Sequence, residues 1–91
     1  MNSEAKKVYR TAITTYGLDA QRKMAVEEMA ELTNALMKFE RGRNTDKDVI
    51  DEIADVTIMM RQMALMFGED AVQARVDFKI RRLAERLVLE D

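Results

Sequence analysis

No proline interrupts this chain of 91 residues, and glycine occurs only at Gly17, Gly42 and Gly68. Proline is the strongest breaker of a helix, and glycine just past a helix end is a common stop. The three glycines divide the chain into four segments, and each carries apolar residues at helical spacing rather than in alternation. The expectation is an all-α fold of four helices, with no strands, in a single domain covering residues 1–91.

The first helix is expected from about Ser3 to Tyr16, with Ala5, Val8, Ala12, Ile13 and Tyr16 on one face. The second is expected from Asp19, as N-cap, to about Arg41, followed by a loop at Arg41-Gly42-Arg43-Asn44. Thr45-Asp46-Lys47-Asp48 resembles a capping box, with Thr45 as N-cap and Asp48 reaching back, and it opens the third helix. The fourth is expected from about Glu69 to Leu89, with a narrow apolar seam at Val72, Val76, Ile80, Leu83 and Leu87.

From Ile53 to Phe67 the third helix is apolar almost all round, and a helix of that kind is buried on every side. A chain this short can hardly surround it. Small domains usually need a staple or a partner, and without cysteine no disulfide can serve. Association with further copies, as a dimer or tetramer, is what remains.

A net charge of −2 leaves no basic footprint for nucleic acid. No long uncharged apolar run is present to span a membrane, and the start Met1-Asn2-Ser3-Glu4-Ala5-Lys6-Lys7 has no signal core, so a cytoplasmic location is expected.

The acidic residues carry the functional signal. Glu28 and Glu31 lie three apart in the second helix, and Glu52 and Asp55 lie three apart in the third. Residues at that spacing share a helix face, so antiparallel packing would bring four carboxylates to one point. A solvated face would account for Glu27, Glu28 and Glu31 by themselves. Asp55 is mid-helix among Ile53, Ala54, Val56 and Ile58, where a carboxylate needs a partner, either an arginine or a shared metal. The repeat of the spacing favours the metal.

An all-oxygen set suits Mg²⁺, or Mn²⁺ in its place, and the chain has no Cys or His to complete a zinc or ferritin-like site. Mg²⁺ on carboxylates generally completes its shell with water and substrate phosphates, which points to phosphate ester or anhydride chemistry. A metal-activated water is then the simplest nucleophile. Glu27, adjoining the cluster, is one candidate base, and a ligand such as Glu28 is another. Arg75, Lys79, Arg82 and Arg86 form a basic stripe; alone it reads as a solvated face, but beside a metal cluster Lys79 and Arg82 are candidates for gripping phosphate. Lys38, seven residues after Glu31 on about the same face, is a further candidate.

The segments Glu27-Glu28-Met29-Ala30-Glu31-Leu32, Glu52-Ile53-Ala54-Asp55-Val56 and Lys79-Ile80-Arg81-Arg82-Leu83 resemble the MazG-like all-α nucleoside triphosphate pyrophosphohydrolases. The resemblance spans about residues 20–88. It implies Mg²⁺-dependent hydrolysis of a nucleoside triphosphate to monophosphate and pyrophosphate, as house-cleaning of the nucleotide pool. It implies Glu28, Glu31, Glu52 and Asp55 as metal ligands, and dimers or tetramers with active sites near subunit interfaces. Asp77 stands where some relatives carry Asn. Phosphoribosyl-ATP pyrophosphohydrolases are an alternative in the same superfamily, but they usually carry Tyr-His after the second acidic motif, where this chain has Val56-Thr57-Ile58-Met59. An alternative of another class is a non-catalytic helical scaffold that uses the apolar third helix for assembly.

Overall fold

The structure, a computed structural model, describes residues 2–90, with side chains through residue 88. Four helices follow in order: α1 Ser3–Tyr16, α2 Leu18–Glu40, α3 Asp46–Phe67 and α4 Glu69–Glu90. No strand occurs among the described residues.

Local chemistry sets the boundaries. Asn2 caps α1, its side chain accepting from the Ala5 N–H at 2.8 Å. The expected N-cap at Asp19 is displaced: α2 starts at Leu18, with Gly17 in the cap position and no side-chain cap. Gly17 both ends α1 and begins α2, so no linker is left in which Asp19 could stand outside the helix. Asp19 instead lies in the first turn, where its charge complements the helix dipole, and pairs with Arg22. The Thr45 cap of α3 is present. The Asp48 carboxylate accepts from the Thr45 N–H at 2.9 Å and from its hydroxyl at 3.0 Å.

α2 and α3 form an antiparallel hairpin that carries most of the tertiary contact. Ala25 and Ala35 on α2 and Met59 on α3 are the buried apolar residues among those described, and the two alanines let the helices approach closely. Between them, Gln21 donates through Nε2 to Gln62 Oε1 at 2.7 Å, with both side chains buried. α1 leans on both helices of the hairpin, and Lys6 reaches Glu69 at the start of α4, 2.7 Å away.

Beyond that ion pair α4 packs on α3, and every described side chain from Asp70 to Val88 is exposed. Its seam is therefore uncovered, with Ile80 57% and Leu83 51% accessible. This one chain leaves α3 partly uncovered: Ile53, Ile58, Met60 and Phe67 are all exposed. The radius of gyration is 16.0 Å, against about 12 Å for a compact chain of this length. The accessible surface is 7135 Å², against about 5,400 Å² for a compact monomer of this mass.

Candidate metal centre

The hairpin register decides where the acidic residues meet. With Gln21 opposite Gln62, the antiparallel pairing brings the middle of α2 against the first half of α3. Glu28 and Glu31 from α2 and Glu52 from α3 then converge, each offering a carboxylate oxygen within 4.8 Å of the others. Glu28 and Glu52 are half-buried and Glu31 is exposed. One oxygen of Glu28 and one of Glu52, Oε2 in each case, are inaccessible to solvent and have no hydrogen-bond partner.

Burial pushes the Glu28 carboxyl above its ordinary value, and the charges of Glu31, Asp55 and Glu52 push it further. The Glu52 carboxyl is raised for the same reasons: burial first, then the charges of Glu31, Asp55 and Asp51. Uncompensated repulsion of this kind is what a bound cation relieves. Three converging carboxylates with two orphaned buried oxygens, and no nitrogen or sulfur donor, fit a hard divalent cation of the Mg²⁺ or Mn²⁺ type.

Asp55 differs from the sequence-based picture in its setting. It is exposed, so burial does not force a partner on it, and it makes no ion pair with any described residue. Its apolar sequence neighbours occupy other faces of α3 and are themselves largely open. It lies outside the converging trio but close enough for its charge to raise both Glu28 and Glu52. Glu27 is exposed and also outside the trio; one residue along a helix is a turn of about 100°, which takes it off the Glu28 face.

Beside the trio, at the loop end of the hairpin, lies an open depression of about 410 Å³. α2 contributes Glu31, Asn34, Ala35 and Lys38, and α3 contributes Asp48, Asp51 and Glu52. Both sets recur at three- or four-residue spacing, one face of each helix. The loop adds Arg43 and Asn44. Lys38 is thus brought to the acidic cluster. Lys79 and Arg82 are not: with Leu83 and Arg86 they line a separate depression on α4, which has no contact with α2. Within α4 the guanidinium groups of Arg75 and Arg82 lie 4.7 and 5.9 Å from the centre of the Phe78 ring.

Sequence reasoning passed over Asp51, Arg43 and Asn44. Asp51 was legible from its spacing, three residues after Asp48 and four before Asp55, which puts it on one helix face with them. Arg43 and Asn44 sit in a loop, where helical spacing says nothing. Their one signal was Gly42, since a glycine stop folds the following residues back on the helix end. Comparison with protein-family models, curated proteins and solved structures gives no match.

Proposed function

We propose that this chain is a Mg²⁺-dependent nucleoside triphosphate pyrophosphohydrolase of the MazG-like kind, converting a nucleoside or deoxynucleoside triphosphate to the monophosphate and pyrophosphate. The observation that carries this reading is the meeting of Glu28, Glu31 and Glu52 within 4.8 Å, beside a polar depression that Lys38 and Arg43 also line. Carboxylates alone would suit many ions. Carboxylates with a neighbouring Lys and Arg suit an ion that arrives with a phosphate chain.

Glu28, Glu31 and Glu52 would hold the ion, with Asp55 at the edge of the cluster. When bound, Mg²⁺ neutralises phosphate charge and lowers the pKa of an attached water. The bond that breaks is the anhydride between the α- and β-phosphates. The water oxygen adds to phosphorus, its proton passes to a cluster carboxylate, and pyrophosphate leaves. In this reading Glu28 would take that proton, and Glu27 would serve only through an intervening water. Such an enzyme cleans the nucleotide pool and works in the cytoplasm.

The uncovered surface favours assembly with further copies as part of the same reading. Each chain exposes about 1,700 Å² more than a compact monomer of its mass would, roughly twice what one partner contributes to a standard interface. A homodimer or homotetramer covering α3 and α4 would account for that excess.

The direct test is pyrophosphate release from a panel of ribo- and deoxynucleoside triphosphates, with and without Mg²⁺ or Mn²⁺. Metal-dependent release with monophosphate as co-product is the expected result, lost in Glu52→Gln and Asp55→Asn proteins that remain folded. Normal turnover in Glu52→Gln would refute the assigned site. No release from any triphosphate or from phosphoribosyl-ATP, with no metal-induced thermal shift, would leave the scaffold reading.

A further inference from the structure

The turn that closes the α2–α3 hairpin carries two cations at positions that commonly hold apolar side chains. Among the backbone bonds that end α2 are Gly42 N–H to Phe39 O and Arg43 N–H to Lys38 O, both 2.9 Å. Gly42 has φ of +67°, the left-handed conformation that glycine adopts without strain. This is the Schellman arrangement, in which the residue after the glycine folds back against the residue five positions before it. Those two positions commonly hold apolar side chains that touch. Here they are Arg43 and Lys38.

Like charges at those two positions repel; the Asp48 carboxylate feels the charge of Lys38 but is not paired with it. No described carboxylate forms an ion pair with either side chain. Asp48, in the same depression, is engaged by the Thr45 N–H and hydroxyl. A helix C-terminus favours cations in general, and Arg41 is a third one at this corner. Yet Arg41 does not line the depression, whereas Lys38 and Arg43 line it together with Glu31 and Glu52 of the acidic cluster. Arg43 is also held firmly for a loop residue. Asn44 donates through Nδ2 to Ala35 O at 3.0 Å on one side of the loop, and the Thr45 cap fixes the other. The Oδ1 of Asn44 is inaccessible to solvent and unpartnered.

We propose that Lys38 and Arg43 form a clamp for the distal phosphates of the substrate, the pair that departs as pyrophosphate, with Asn44 as the positioning residue. The inference rests on the pyrophosphohydrolase reading for its choice of anion. A triphosphate held by a cation on Glu28, Glu31 and Glu52 extends its negative end into the adjoining depression, where the two cations stand. Arg43 supplies a planar fork and Lys38 a point charge, and a bridging anion converts their repulsion into attraction to a common partner. The α4 cations take no part in this clamp.

The test uses inorganic pyrophosphate with Mg²⁺, titrated calorimetrically into the wild-type protein and into Lys38→Ala, Arg43→Ala and the double variant. The Schellman bonds are main-chain, so these substitutions leave the turn in place. Each single variant is expected to bind pyrophosphate about tenfold more weakly, and the double variant more weakly still. Mn²⁺ affinity, read by electron paramagnetic resonance, should be undiminished, since removing nearby positive charge does not harm a cation site. Lys79→Ala/Arg82→Ala should bind pyrophosphate like wild type. In turnover, KM for the triphosphate should rise in the clamp variants. Wild-type affinity in the double variant, or no binding of pyrophosphate to wild type, overturns the clamp. Turnover of a triphosphate with KM unchanged in the double variant overturns it while leaving the enzyme. Conversely, pyrophosphate binding through Lys38 and Arg43 without hydrolysis of any triphosphate overturns the enzyme and leaves the clamp.

Discussion

Gln21 and Gln62 face each other across the α2–α3 hairpin and share a hydrogen bond of 2.7 Å, with only 6% and 4% of their surfaces accessible. Two amides in the tightest part of a sparse core act on register. Sliding one helix against the other would leave both groups buried and unpaired, at a cost of about 1–3 kcal/mol each. The same register brings Glu52 to Glu28 and Glu31.

Replacing one amide should therefore cost more than replacing both. Gln21→Leu or Gln62→Leu leaves a buried group without its partner and should destabilise by about 1–3 kcal/mol. The double variant should recover a good part of that loss. Urea unfolding of the four proteins closes the cycle, and additive losses would show that the bond contributes nothing as a pair.

The acidic cluster should make the metal-free protein lose stability between mild acid and neutral pH. Glu28 and Glu52 have folded-state values raised above the ordinary glutamate value of 4.5. Their protonated forms are favoured by folding, so stability falls as pH rises from 4.5 through the raised values. Asp48 and Glu69 have the opposite sign. Hydrogen bonds from the Thr45 backbone and side chain hold Asp48 below its ordinary 3.8, and the Lys6 hydrogen bond holds Glu69 below 4.5. Their contribution is present above those ordinary values and is lost as pH falls through the lowered ones. In EDTA, the Glu28 and Glu52 contribution should make melting temperature fall as pH rises above 4.5 toward neutrality. Glu52→Gln should raise it at neutral pH and flatten the alkaline limb; a lower neutral melting temperature in that variant would contradict the repulsion.

Added Mg²⁺ or Mn²⁺ should reverse the alkaline limb. A cation that binds only the folded site stabilises it by mass action, and it binds the deprotonated carboxylates. Scanning calorimetry at neutral pH should show a rise in melting temperature that increases with metal concentration. The rise should be lost in Glu28→Gln and retained in Glu27→Gln.

Self-association should depend on the α4 seam. Sedimentation of the wild-type protein should show dimers or larger species, and Ile80→Glu with Leu83→Glu should shift the population to monomer. A wild-type protein that remains monomeric at high micromolar concentration would mean that the exposed seam does not serve copies of this chain.

The helices were legible because their punctuation is local. Gly17, Gly42 and Gly68 all have positive φ at a helix end, and Thr45 with Asp48 builds the cap that its spacing implies. Asp19 misled because it has the chemistry of an N-cap, whereas position is fixed by Gly17, two residues earlier. The trio of glutamates was legible because spacing within each helix, plus antiparallel pairing, nearly determines it. What spacing within a helix leaves open is the direction a helix takes after its turn. The chain leaves Gly68 so that α4 packs on α3 and not on α2, and this keeps Lys79 and Arg82 away from the acidic residues they resemble partners for. The exposure of Asp55 was hidden for a related reason: apolar neighbours in sequence imply burial only if another element covers that face, and here none does.

The closed turn at Gly42 also bears on the order of events during folding. Its bonds join residues no more than nine apart, from Ala35 to Asn44, so closing it costs little chain entropy. Helices form in about a microsecond or less, and contacts local in sequence speed folding. The hairpin is therefore the piece that can assemble earliest, before α1 docks and before α4 finds a neighbour. Glu28, Glu31 and Glu52 all lie within it. If the proposed metal site is right, an ion would find these carboxylates gathered while the rest of the chain is still searching, and would act as a template for folding.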